Sequence, residues 1–244
     1  MARAGRGRFG TAVRFRVTDI APLPFAPQAV IFDMDGLMLD SERAIIGCLV
    51  RAAAAQEAGI EPDYWLRMIG HGDAACRTML AERIGEAPAR ALLAQGHGYY
   101  REAVAAGLPL RPGIVELLEM LIAHDMPRAV ATSTLRELAL RKLDMADLLR
   151  RFDAVCTGSD VAHPKPAPDI YLLAAQKLGV PPAHCLVLED SPIGVRAALA
   201  AGMTPIQVPD LLPPDDEARA LGHRIVASLA DAQRLLEPLM PLAR

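Results

Sequence analysis

The chain has 244 residues, of which 52% are hydrophobic and 23% charged, and its formal net charge is −3. That length can bury a sizeable core in one or two domains, and that balance excludes a disordered or fibrous chain. Residues 1–26 carry five arginines (Arg3, Arg6, Arg8, Arg14 and Arg16) against the single acid Asp19, so the remainder stands near −7, which argues against a nucleic-acid partner.

Residues 1–27 scatter Gly5, Gly7, Gly10, Pro22, Pro24 and Pro27 among short mixed segments. They read as a disordered extension, or as a start codon set too early, outside the fold. The run Ala29-Val30-Ile31-Phe32 then ends in Asp33-Met34-Asp35-Gly36. A short apolar run of this kind predicts a strand buried on both faces of a parallel sheet. Along extended chain the two carboxylates point to one side, about 7 Å apart, and the glycine permits a sharp exit. A solvated turn accounts for Asp-x-Asp-Gly equally well until matching pieces appear downstream.

Ser41 is the expected N-cap of an alanine-rich helix to about residue 56. Helices follow at about 62–69, 73–84 and 88–106, the last weakened by Gly96-His97-Gly98. A block of helices with no strand predicts an inserted cap over residues 42–110. The pattern then changes. Pro112-Gly113 opens a helix whose Ile114, Leu117, Leu118, Leu121 and Ile122 form one apolar stripe. Strands are predicted at 128–133, 153–157, 185–189, 204–208 and 224–227, alternating with helices at 135–143, 167–178, 192–201 and 229–237. Such alternation predicts an α/β fold, a doubly wound parallel sheet built from residues 28–41 and 111–244 with the all-helical cap inserted. Ser191-Pro192 is an N-cap followed by proline at the first helical position, and Gly179 and Gly202 stand where two helices should stop.

Cys48, Cys76, Cys156 and Cys185 are far apart and form no Cys-x-x-Cys pair, which argues against zinc or a disulfide framework and suits the cytoplasm. No apolar run approaches the roughly 18 residues of a membrane span.

If the strands ending at Asp33, Thr132 and Glu189 are neighbours, their C-terminal ends gather Asp33, Asp35, Thr132, Ser133, Glu189 and Asp190, with Lys165 from a loop. Four carboxylates so placed repel one another unless a cation joins them, and an all-oxygen set suits Mg²⁺ shared with a phosphate. Lys165 is one of only three lysines, with Lys142 and Lys177, among 26 basic residues. It sits between prolines at 164, 166 and 168, which stiffen its loop. An exposed loop lysine remains the plain alternative.

The segments Asp33-Met34-Asp35-Gly36, Ala131-Thr132-Ser133, Lys165-Pro166-Ala167-Pro168-Asp169 and Leu188-Glu189-Asp190-Ser191 resemble, in order and separation, the four motifs of the haloacid dehalogenase-like (HAD) superfamily. The resemblance spans about residues 28–237 and is closest to the helical-cap branch that holds β-phosphoglucomutase and sugar-phosphate phosphatases. It implies Asp33 as nucleophile, forming an aspartyl-phosphate, and Asp35 as general acid and then base. Thr132, Ser133 and Lys165 would bind the phosphate. Asp33, Asp190 and the Asp35 carbonyl would hold Mg²⁺, with Glu189 in or just behind that shell. Asp35 also argues against haloalkanoate dehalogenation.

The mutase pattern places a histidine ten residues after the second aspartate, where this chain has Ile45, and a cap arginine where it has Asp73. Hydrolysis of a small phosphorylated metabolite, such as a sugar phosphate or nucleotide, is therefore favoured over the mutase and over a catalytically silent phosphometabolite-binding protein. Residues 33–42 and Val208-Pro209-Asp210 look most like hexose-phosphate phosphatases or the pseudouridine 5′-phosphate phosphatase. His71, Arg77 and Arg67 are the polar cap residues expected to read the leaving group, and the chain is taken as a monomer or weak dimer.

Overall fold

The structure is a computed structural model that describes Leu23, residues 25–68 and residues 73–240. Strand β1 (Ala29–Phe32) leads into helices α1 (Ser41–Ala55), α2 (Pro62–Leu66), α3 (Asp73–Ile84) and α4 (Glu86–Ala106). Then come α5 (Ile114–Ala123), β2 (Arg128–Ala131), α6 (Arg136–Met145), β3 (Ala154–Cys156), α7 (Asp169–Leu178) and β4 (Cys185–Glu189). The chain continues through α8 (Pro192–Ala200), β5 (Thr204–Gln207), α9 (Asp216–Ala220), β6 (Arg224–Ile225) and α10 (Leu229–Leu236).

The sheet order is β3-β2-β1-β4-β5-β6, and every pairing is parallel. β1 lies between β2 and β4, so the chain winds outward to one side and then returns to the other. That reversal leaves a crevice at the C-terminal end of β1, where open α/β sheets hold ligands. The period of a strand explains its two-sided burial. Val30 and Phe32 pack with Leu117, Leu118 and Leu121 of α5 and Leu229 of α10. Ala29 and Ile31 pack on the opposite face with Ile170 and Ala174 of α7 and Ala197 and Ala198 of α8.

Helices α1–α4 build a separate apolar cluster from Leu49, Ala52, Trp65, Leu80, Leu92 and Leu93. α4 runs unbroken through Gly96-His97-Gly98. A Cβ on Gly96 would stand 2.6 Å from Leu49 Cδ2, so the glycine that costs helix propensity is what lets α4 lie close against α1. The chain crosses between sheet and helices twice, and the crossings bond to each other. The Asp40 N–H donates to Pro109 O at 2.9 Å and the Arg111 N–H to Met38 O at 2.8 Å.

Some expectations shift. Asp40, not Ser41, is the N-cap of α1, and Ser41 is its buried first residue. α2 closes at Leu66 rather than about residue 69, and the short α9 carries no apolar stripe that would have announced it. Leu23 is buried in the sheet's core, so the fold begins before residue 28, while residues 1–22 lie outside the described residues. Ser191 caps α8 by accepting from the Gly194 N–H at 3.1 Å, and Gly179 caps α7 in the left-handed conformation, as the sequence predicts.

Candidate active site

β1 delivers Asp33 and Asp35, β2 delivers Thr132 and Ser133 just past its end, and β4 ends in Glu189 followed by Asp190. Because these three strands are adjacent, their final residues face one crevice. Gly36 turns the chain out of β1 with φ +83°, and a Cβ there would stand 2.3 Å from Asp190 Oδ2. Only a glycine meets both demands.

Lys165 is the hub. Its Nζ donates to Asp33 Oδ1 at 2.6 Å and to Glu189 Oε1 at 2.7 Å, with its side chain 5% exposed. It also lies 4.8 Å from the centre of the Tyr171 ring. Glu189 accepts in addition from the Tyr171 hydroxyl at 2.9 Å, the Ser191 N–H at 2.9 Å and the Ser191 hydroxyl at 3.0 Å. Both of its oxygens are thus occupied by protein donors.

The two acids that share Lys165 differ. Burial raises the Glu189 pKa, but the Lys165 charge and the bonds from Lys165, Ser191 and Tyr171 outweigh it and hold that carboxyl below its ordinary range. Burial pushes Asp33 up to about 7 despite Lys165, with the charges of Glu189 and Asp35 adding to the rise. Asp190 is raised well above the ordinary range by burial and by the charges of Glu189, Asp33 and Glu42. Glu42, at the start of α1, is pushed up to about 7 by burial and by Asp210 and Asp35. One lysine does not balance this many acids. Among the described residues no three His, Cys, Asp or Glu side chains form a metal cage on their own. The donors that converge are instead two carboxylates, Asp33 and Asp190, beside the main chain of Asp35. That hard oxygen set, short of positive charge, fits a divalent ion that completes its shell with water and phosphate oxygens.

Asp35 has its own cation. Lys142 Nζ of α6 donates to Asp35 Oδ1 at 2.7 Å, and the Thr134 hydroxyl donates to Oδ2 at 2.6 Å. Burial raises the Asp35 pKa, but Lys142 and these bonds outweigh it and leave the carboxyl lowered. Lys142 itself is only 4% exposed and lies 5.2 Å from the Tyr100 ring of α4. Thr132 is buried, and its Oγ1 accepts from the Thr134 N–H at 3.1 Å, which leaves its own hydroxyl proton for a ligand. Ser133 is exposed beside it.

Lys142, Thr134 and Tyr171 were not among the expected site residues. A signal for the first existed: Lys142 lies on the apolar face of α6 with Ala139 and Leu143, where an unpaired lysine would be costly. Tyr171 carries a weaker one, since it follows the Lys165 loop by one helical turn. Of the cap residues expected to read substrate, Arg77 is exposed on α3 and Arg67 lines a groove with Glu61, Asp63, Glu82 and Arg83. Neither forms an ion pair with the sheet's residues, and His71 lies outside the described residues.

The chain resembles known proteins in sequence and in fold. The family model for haloacid dehalogenase-like hydrolases matches residues 27–202. Protein CbbY of Rhodobacter capsulatus is 32% identical over 87% of this chain and 98% of its own length. A phosphorylated carbohydrates phosphatase of Thermotoga maritima is 31% identical over 86% of this chain and 90% of its own. Among solved structures, a HAD-family hydrolase of Deinococcus radiodurans with bound phosphate and sodium has a TM-score of 0.76 at 29% identity, covering 88% of this chain and 96% of that one.

Proposed function

Because the chain belongs to the haloacid dehalogenase-like hydrolases, we propose that it is a Mg²⁺-dependent phosphatase that hydrolyses the phosphate monoester of a small metabolite, such as a sugar phosphate or nucleotide. The observation that carries this reading is the Lys165 ammonium, fixed by Glu189 and Tyr171 against Asp33 Oδ1 at 2.6 Å at the open end of β1. A buried carboxylate beside a fixed cation, with a hydroxyl donor on the next strand, suits the binding of a phosphoryl group and in-line attack on it.

Asp33 is the nucleophile, and its free oxygen attacks phosphorus to form an aspartyl-phosphate while the ester oxygen leaves. Thr132 donates its hydroxyl to a phosphoryl oxygen, the Ser133 N–H adds a second donor, and Lys165 offsets charge. Asp33, Asp190 and the main-chain carbonyl of Asp35 would hold Mg²⁺, which when bound neutralises charge on the phosphoryl oxygens. Glu189, whose oxygens are already taken, stands behind that shell and aims Lys165. Asp35 protonates the leaving oxygen and then takes a proton from the water that cleaves the aspartyl-phosphate. The contacts from Lys142 and Thr134 keep it ionised at rest and in the second step; for the first it must let go of Lys142 and take up a proton from solvent as the ester binds, and that proton is the one it passes to the leaving oxygen.

The helices α1–α4, residues 42–110, act as a lid that excludes bulk water and reads the leaving group. Hydrolysis is favoured over mutase chemistry because the residue ten positions after Asp35 is Ile45, which packs on the helices' own apolar cluster. A relative named as a phosphorylated carbohydrates phosphatase supports the substrate class. The four cysteines are free thiols, which supports the cytoplasm as the chain's compartment, and among the described residues no helix is long and apolar enough to cross a membrane; a monomer or weak dimer is the assembly proposed.

The test is phosphate release by the purified protein from a panel of phosphomonoesters that includes p-nitrophenyl phosphate, with Mg²⁺ or chelator, and with Asp33→Asn as control. Release that needs Mg²⁺ and Asp33 is expected. Conversion of β-glucose 1-phosphate to the 6-phosphate without release would favour the mutase, and binding without turnover would favour a silent member.

A further inference from the structure

The mechanism above gives no part to Glu42, a half-buried carboxylate at the edge of the site. Glu42 lies in the first turn of α1, on the lid side of the first crossing, and among the described residues no cation forms an ion pair with it. The charges of the two arginines of that corner, Arg43 and Arg111, partly offset the acids around Glu42, but their hydrogen bonds go elsewhere. Arg43 donates to Asp40 at 2.8 Å and to Asp210 at 2.5 Å, and Arg111 donates to the same Asp210 oxygen. The side chain of Asp210 is 1% exposed, and its second oxygen is buried without a partner.

Glu42 and Asp190 line the same cavity of 280 Å³, with Gln207, Asp210 and Ile193 among the other walls. The glutamate's charge is felt by the neighbouring acids. The charge of Glu42 acts on Asp190, while those of Asp210 and Asp35 act on Glu42. Glu42 thus shares a cavity with Asp190 and lies within electrostatic reach of Asp35 and Asp210, and a half-buried carboxylate among other acids is unfavourable unless a cation or a donor joins it. Glutamate is suited to the part, because it accepts two hydrogen bonds per oxygen and α1 fixes its backbone.

We propose that Glu42 is a positioning residue for the divalent ion: carried by the lid's first helix, its carboxylate accepts a hydrogen bond from a water on the ion that Asp33 and Asp190 hold. Mg²⁺ keeps several of its waters, so an acid behind the direct ligands has a donor to receive. This inference rests on the metal reading of the site and adds a consequence to it. Ion binding and lid position become linked, since the same turn of α1 carries Glu42 and Arg43, and Arg43 joins the crossing to the sheet through Asp210.

The measurement is Mn²⁺ binding to the substrate-free protein, followed by electron paramagnetic resonance, with displacement by Mg²⁺. Glu42→Gln keeps size and shape, and its affinity is expected to fall by about tenfold or more, within the range for lost outer partners of a metal site. Glu42→Asp is expected to lie between, and it serves if the glutamine variant fails to fold. Asp190→Asn separates the two ideas. If that variant loses Mn²⁺ while Glu42→Gln stays within about twofold of the parent, the inference is overturned and the metal site stands. If neither loses it, the metal reading itself fails. A Glu42→Gln variant that changes KM for phosphomonoesters with unchanged Mn²⁺ affinity would make Glu42 a substrate contact and overturn the inference.

Discussion

Replacing Lys165 with methionine removes a cation and keeps nearly the same volume. The parent lysine is 95% buried as a side chain, by its 5% exposure, and bridges Asp33 and Glu189. Removing one partner of a buried ion pair costs about 3–5 kcal/mol, because the other charge is left without compensation. The loss here is not doubled, since Glu189 keeps the Tyr171 hydroxyl and two donors from Ser191. The expected penalty is therefore about 3–4 kcal/mol near neutral pH, or roughly 6–16 °C in Tm for a chain of this size. The penalty depends on ionised carboxylates. Without Lys165 both acids have higher folded-state pKa values than in the unfolded chain, so the deficit is full above those values and shrinks as acid protonates them. Urea unfolding of parent and variant in chelator, at about pH 7.5 and about pH 5.5, measures both. A penalty below about 1 kcal/mol, the size expected of an exposed pair, or one that does not narrow in acid, would refute the buried bridge.

The metal-free parent should also lose stability as pH rises from about 5.5 to 7.5. Asp33 and Glu42 are raised to about 7 and Asp190 is raised too, so the folded protein holds protons that the unfolded chain has lost. Asp35 and Glu189 are lowered and act only at more acid pH, while the lowered, half-buried His223 opposes the trend weakly. Thermal melts in chelator should show this fall and saturating Mg²⁺ should reverse it; a metal-free protein that gains stability across that window would contradict it. Gly194→Ala puts a Cβ 1.6 Å from Glu189 Oε1. Despite the gain of about 1 kcal/mol in helix propensity, it should destabilise by at least about 2 kcal/mol, on the scale of overpacking, and a more stable variant in urea melts would contradict it. Ser191→Ala removes both a cap and a donor to Glu189, and a loss of about 1–2 kcal/mol is expected by the same assay.

The parts of this molecule that are legible in the sequence are those with a local cause. β1 ends where an apolar run meets acids, α8 begins at Ser191-Pro192, and α7 stops at Gly179. The central arrangement was legible as well, since alternating strands and helices imply a parallel sheet whose neighbouring strand ends meet. What escapes is set by contact between distant segments. Thr134 and Lys142 reach Asp35 across 99 and 107 positions of chain, and no spacing encodes such a pairing. Gly96 reads as a weak point of a helix until Leu49 is seen against it. Asp40 takes the cap position from Ser41 because the crossing fixes its backbone to Pro109. Polarity alone distinguishes Arg67 and Arg77 in the sequence, and polarity on a helix marks a solvated face as readily as a binding surface.

The central claim is that Asp33 attacks phosphorus, and rapid acid quench addresses it most directly. The protein is mixed with Mg²⁺ and a phosphomonoester that it turns over, stopped within the first turnovers, digested and examined by mass spectrometry. The account predicts a phosphoryl group on the peptide at Asp33, absent from Asp33→Asn, which should fold but not turn over. Steady release of phosphate with no covalent adduct, by a protein whose Asp33→Asn variant remains active, would contradict it.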